Sequence, residues 1–93
     1  MQTDASRIRS TVRAFIFDRF YVPTPENLVD DTSLLEAGVV DSTGVQEIIG
    51  FLEEAFQVRV ENDEILPENL DSVERLVRFV QRKLGEGPGV PAS

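Results

Sequence analysis

Val45, Ile48, Ile49, Leu52, Ala55 and Phe56 recur at three- and four-residue spacing, the apolar stripe of a helix laid against a core. That period argues against a strand, in which successive side chains alternate between faces. Similar stripes occur twice more. Ile8, Val12, Phe15, Ile16 and Phe20 mark a first helix expected from Asp4 to Phe20, with Arg7, Arg9, Arg13 and Arg19 spread over its other faces. Val73, Leu76, Val77, Val80 and Leu84 mark a last helix, expected to start at Asp71 and to end at Gly85. Glu74 stands three residues after Asp71, a capping-box-like arrangement in which Asp71 accepts from first-turn amides. No stretch alternates apolar and polar residues for long enough to form a strand.

The breaks between stripes set the connections. Tyr21-Val22-Pro23-Thr24-Pro25 stops the first helix, because each proline lacks an amide hydrogen and pushes its predecessor out of helical geometry. A long connection follows to Asp41. Within it, Thr32 or Ser33 is expected to cap a single turn holding Leu34 and Leu35, and Gly38 to close it, so that apolar anchors keep the connection ordered. The second helix spans Ser42 to Phe56. Gln57-Val58-Arg59-Val60 then reads as an extended linker with Val58 and Val60 pointing inward. Asn62 is expected to cap a brief third helix through Asp63, Glu64, Ile65 and Leu66, ended by Pro67, with a turn at Pro67-Glu68-Asn69. The fold expected is all-α, a small four-helix bundle of three main helices and one short one. Residues 1–85 form the domain, and residues 86–93, rich in glycine and proline, a disordered tail.

A chain of 93 residues that is 41% apolar holds one domain with one core. It has no cysteine, so a disulfide framework and a thiolate metal site are both excluded, and any thiol chemistry must come from a prosthetic group. No basic segment leads into an apolar one after Met1-Gln2-Thr3-Asp4, and the expectation is a soluble, cytoplasmic monomer with no membrane contact. Net charge is −8, unevenly spread: residues 26–74 hold 14 of the 17 acidic residues and one of the 9 basic ones, Arg59. Such a segment attracts basic patches on partner proteins and repels phosphate backbones, which excludes nucleic acid as a partner.

Ser42 stands at the tip of the second helix, directly after Asp41. A serine so placed is ordinarily a helix cap. The alternative is a functional role for a hydroxyl held exposed at a helix N-terminus, beside a carboxylate. The run Leu34-Leu35-Glu36-Ala37-Gly38-Val39-Val40-Asp41-Ser42-Thr43-Gly44-Val45, continuing through Phe51-Leu52-Glu53-Glu54-Ala55-Phe56 to Pro67-Glu68-Asn69-Leu70-Asp71-Ser72-Val73, resembles an acyl carrier protein over nearly the whole chain. The resemblance implies a 4'-phosphopantetheine arm on Ser42, with Asp41 presenting the serine and holding metal-bound coenzyme A in the complex with a phosphopantetheinyl transferase. It implies no enzymatic activity, only acyl groups carried as thioesters between acyl-activating ligases and condensing or acyltransferase enzymes, in lipid or secondary-metabolite biosynthesis. By the same resemblance the second helix is the recognition helix, with Thr43, Val45, Glu47, Glu53, Glu54 and Glu64 as partner contacts. Thr43 replaces the leucine most common in the family, and Asp-Ser-Thr-Gly resembles free-standing carriers that sit beside ligases. Val39-Val40 and the lack of histidine favour the acyl over the peptidyl branch.

Several other functions are excluded by composition. Without histidine or cysteine, Ser42 lacks the usual base of a hydrolase nucleophile. Asp30, Asp31, Asp63 and Glu64 do not follow the calcium-loop pattern, and the glycines at 85, 87 and 89 follow a helix where a phosphate loop would open one. Val45, Ile49, Ile65, Leu66 and Val73 are either plain core or the walls of an acyl channel, and Gly44 either an inexpensive first-turn glycine or a point of close approach for a partner. An aminoacyl or aryl carrier, and an unmodified acidic helical adaptor with Ser42 as a cap, are the alternatives to an acyl carrier.

Overall fold

The computed structural model describes residues 4–22, 26 and 28–86, and the regular structure among them is entirely helical. In chain order it comprises α1 (Ala5–Arg19), α2 (Ser42–Phe56), a 3-10 turn (Asn62–Glu64), α3 (Pro67–Leu70) and α4 (Val73–Glu86). The four-helix bundle expected from the apolar stripes is the observed architecture. Pro23, Thr24 and Pro25, and the expected tail beyond Glu86, lie outside the described residues. No helix among those described is long and apolar enough to cross a membrane.

Asp4 opens α1 by accepting from the Arg7 amide at 2.9 Å, and extended backbone at Phe20 closes it. Ile8, Val12 and Ile16 fill its buried stripe. α4 is the central element, packed against α1, α2 and α3. Val73, Leu76, Val77 and Val80 are buried along it, and Leu84 is half-buried. Phe79 lies off the expected stripe yet is 1% exposed, because α4 is covered from more than one side. Fully burying a side chain of this size contributes about 1.5–3 kcal/mol relative to leaving it in water. Phe15 and Phe51 stack with centroids 4.0 Å apart and tie α1 to α2.

The connection between α1 and α2 is pinned along its described length. Leu28, Leu34, Val39 and Val40 are buried in the core. Asp30 pairs with Arg9 and Arg13 of α1, and its carbonyl accepts from the Glu74 amide of α4 at 2.8 Å. Ser33, not Thr32, caps the single turn: its hydroxyl accepts from the Glu36 amide at 3.1 Å. Gly38 takes the left-handed conformation expected of a turn-closing glycine, at φ 75°.

Four local expectations are corrected. Pro67 opens α3 instead of ending a helix, because its missing amide costs nothing at the first helical position. Glu61, not Asn62, precedes the 3-10 turn as its cap residue, and the Glu64 carboxylate reaches back to the Glu61 amide at 2.9 Å. Ser72, not Asp71, caps α4: the Ser72 hydroxyl accepts from the Arg75 amide at 3.1 Å. Asp71 is drawn off by the long connection, accepting from the Ser33 hydroxyl and from the Leu35 amide. Gly85 is passed as well, since α4 continues through it to Glu86.

Candidate functional site

Val39 and Val40, 8% and 4% exposed, seat the chain in the core immediately before it surfaces at Asp41. Their amides both donate to the Leu34 carbonyl, at 3.0 and 3.2 Å, so the approach to α2 has a fixed geometry. Asp41 has extended backbone, and its Oδ1 accepts from the Gly44 amide at 2.8 Å, the bond of a helix cap. Ser42 is therefore the first residue of α2 and is exposed. Its hydroxyl has no hydrogen-bond partner among the described residues. With Asp41 doing the capping, Ser42 is left with a free oxygen on a rigid helix start, in the positive field of the helix N-terminus.

Gly44 is buried at the same turn. A Cβ there would come within 2.9 Å of the Phe20 ring and 3.0 Å of Val40 Cγ1, so the close approach it permits is made by the core's own side chains. Neither an exposed contact for a partner nor indifference to substitution describes this position.

Ser42 borders a groove of about 280 Å³ between the start of α2, the turn at Leu34 and the segment from Ile65 to Asp71. Its walls are mostly apolar: Leu34, Leu35, Val40, Val45, Ile65, Leu66 and Leu70, with Gln46 and Asp71 as polar margins. Of the five residues considered as channel walls from sequence, Val45, Ile65 and Leu66 line the groove, while Ile49 and Val73 are buried in the core. Leu35, Val40, Leu70 and Asp71 were not among them, since loop residues carry no periodicity that signals a shared wall. The segment carrying Ile65 and Leu66 is held by Glu64, whose carboxylate takes both oxygens to Lys83 Nζ, at 2.9 and 3.1 Å. Burial pushes the Glu64 carboxyl up, but the Glu61 amide, Lys83 and Arg82 together outweigh it and hold the group below its usual range.

Thr43 is exposed on the outer face of α2, and Glu54 is exposed near its far end. Glu53 is half-buried and accepts from the Val60 amide at 3.0 Å. Glu47 is paired with Arg19 of α1. The acidic surface thus groups into paired and unpaired members, and only Asp41, Thr43 and Val45 of the expected contacts gather around Ser42. Among the described residues no cluster of three or more acidic side chains is arranged to hold a metal ion.

The site is thus an exposed serine hydroxyl, without a hydrogen-bond partner among the described residues, at a helix start beside an apolar groove. Residues 10–80 match the family described as the phosphopantetheine attachment site. D-alanyl carrier proteins of Streptococcus pyogenes serotype M5 (strain Manfredo), serotype M49 (strain NZ131) and serotype M1 are each 32% identical over 66 residues, which cover 71% of this chain and 82% of the relative.

Proposed function

The chain belongs to the phosphopantetheine-attachment family of carrier proteins, and we propose that Ser42 is the residue that takes its 4'-phosphopantetheine arm and that the cargo is an acyl group. The observation that carries this reading is the division of labour at the start of α2, where Asp41 caps the helix and Ser42 keeps an exposed hydroxyl. The arm supplies the thiol on which cargo rides as a thioester, in a chain that has no cysteine of its own. The chain also has no histidine, and Asp41 is engaged with the Gly44 amide. We assign the base that takes the Ser42 proton, when the arm is joined, to the transferase. Acyl-activating ligases and condensing or acyltransferase enzymes are the partners that load and unload such a carrier, and the tether raises the cargo's effective concentration at each of them. Thr43 and the groove residue Val45 are the nearest contacts such partners meet.

The mostly apolar groove beside Ser42 favours an acyl cargo. A second reading, an aminoacyl cargo, is favoured by the relatives named as D-alanyl carriers. Intact mass before and after incubation with a phosphopantetheinyl transferase and coenzyme A, with Ser42→Ala alongside, tests the attachment. A phosphopantetheine-sized gain in the wild type and none in the variant is expected. No gain, with a control carrier modified in the same tube, overturns it and leaves an acidic adaptor. Loading the holo form with octanoyl or alanyl groups separates the cargoes. Amide shifts at Val45, Ile65 and Leu66 are expected with octanoyl; their absence favours the aminoacyl reading.

A further inference from the structure

The carboxylates of α2 and the turn after it differ in whether a cation of the same chain already answers them. Arg19 sits on Glu47, Arg59 lies 3.7 Å from Glu61, and Lys83 holds Glu64. Glu53, Glu54 and Asp63 have no ion pair among the described residues. Position along the helix makes this difference functional. At 1.5 Å per residue, Glu47 lies about 8 Å along α2 from Ser42, and Glu54 about 18 Å. Charges are screened over about 8 Å at physiological ionic strength, so Glu47 is within reach of a group docked at Ser42, and Glu54 is not.

Arg19 and Glu47 are 59% and 37% exposed in their side chains, open to an approaching protein. The hydrogen bond and the charge of Glu47 hold the Arg19 guanidinium above its usual range. Even when thermal motion parts the pair, a positive charge stays beside the negative one, and a cation arriving at this end of α2 meets almost no net field from the two. Between Glu47 and Glu53, α2 carries no charged residue, and its exposed position there is Gly50.

We propose that Arg19 is a specificity-determining residue: by cancelling Glu47 beside Ser42 it moves cationic docking to Glu53, Glu54 and Asp63, and disfavours partners that seek a carboxylate one turn from the serine. The partners are those of the carrier reading, on which the inference rests. Four proteins test it: wild type, Arg19→Ala, Glu47→Gln and the double variant, compared for the KM of loading by a phosphopantetheinyl transferase with coenzyme A at low salt. Arg19→Ala should lower KM by about two- to five-fold. The effect of Glu47→Gln should be several-fold larger without Arg19 than with it, and the coupling should shrink at high salt. An Arg19→Ala variant with unchanged or raised KM, or a Glu47→Gln effect equal in both backgrounds, overturns the proposal.

A second measurement does not depend on attachment to Ser42. Titrating the labelled apo protein with an oligoarginine peptide should shift the amides of Glu53, Glu54 and Asp63 in the wild type. Shifts should extend to Thr43 and Glu47 only in Arg19→Ala. Equal shifts at Glu47 with and without Arg19 overturn the proposal whether or not the arm can be loaded, and a failed loading with the expected shifts overturns the carrier reading alone.

Discussion

Two helices of this chain open on the same dipeptide, and the two copies divide their work in opposite ways. At Asp41-Ser42 the aspartate caps α2, and the serine is exposed with no hydrogen-bond partner among the described residues. At Asp71-Ser72 the serine caps α4, is 3% exposed, and the aspartate leaves the helix to hold Ser33 and Leu35 of the long connection. The difference is one residue of register. α2 begins at its serine, whereas α4 begins one residue after its own. An Asp-Ser pair thus specifies a helix start but not which of its oxygens remains free. The surroundings decide: buried Val39 and Val40 deliver the chain to the surface at the first pair, while the second is closed in by the connection packed against it.

The largest effect that distinguishes the pairs is on loading. Ser72→Ala should take up the arm as completely as the wild type, in contrast to Ser42→Ala, and should lose about 1 kcal/mol of stability through its missing cap. Intact mass and urea unfolding report the two quantities. A folded Ser72→Ala protein that fails to load would break the comparison.

The aspartates should differ in the opposite sense. Asp71→Ala leaves the Ser33 hydroxyl and the Leu35 amide without their acceptor and frees the wall of the groove, a loss of about 2–3 kcal/mol. Asp41→Ala removes one cap, at about 1 kcal/mol, and should also slow loading, because the helix start that presents Ser42 frays. Denaturant midpoints with unchanged slopes would show the ranking. Equal losses would mean that Asp71 is no more than a second cap.

Gly44 sharpens the same contrast, since its counterpart after the second pair is Glu74. Gly44→Ala gains up to about 1 kcal/mol of helix propensity but forces a Cβ to 2.9 Å from Phe20, overpacking that costs about 1–3 kcal/mol. A net loss near 1 kcal/mol is expected, whereas Gly50→Ala, with open space around it, should be neutral or stabilising. Thermal unfolding of the two variants decides between crowding and propensity.

Much of this was legible in the residues. The apolar stripes and the polar break at Asp41 place α2 from Ser42 to Phe56, as observed, because period, cap and stop agree there. Where two readings are locally equal, they cannot be separated in this way. Pro67 is as good a first helical residue as a stop; what decides is Leu70, buried against the core three residues on. Asp71 and Ser72 are both competent caps, and the choice is made by Ser33 and Leu35, more than 35 residues away in sequence. Arg19 and Glu47 are 28 residues apart, so no local pattern announces that the carboxylate nearest the second turn of α2 is already answered. At the site, the sequence pointed to Ser42 and Asp41 but left both as possible caps; only the backbone register separates them.

The smallest expected effect concerns pH and the other carboxylate that holds the groove beside the first helix start, since Asp71 of the second start holds Leu35 and Glu64 holds the opposite wall. Glu64 joins the segment carrying Ile65 and Leu66 to Lys83 of α4. Its carboxyl lies below the usual 4.5 in the folded protein, so the folded state favours the charged form. The stability it contributes is fully present above about pH 4.5, the unfolded value, and is lost as pH falls from there through the lower folded one. With side chains 12% and 22% exposed for Lys83 and Glu64, the pair is screened but not fully, and a contribution of about 1 kcal/mol or less is expected. Glu64→Gln should therefore be less stable than the wild type at pH 7 and converge on it in acid. In the wild type, acid should shift the amides of Ile65 and Leu66 in step with Glu64, a response absent from Glu64→Gln. Parallel stability curves for the two proteins across that range would mean that the segment carrying Ile65 and Leu66 is held by packing alone, and that Asp71 of the second start is the carboxylate that tethers the groove.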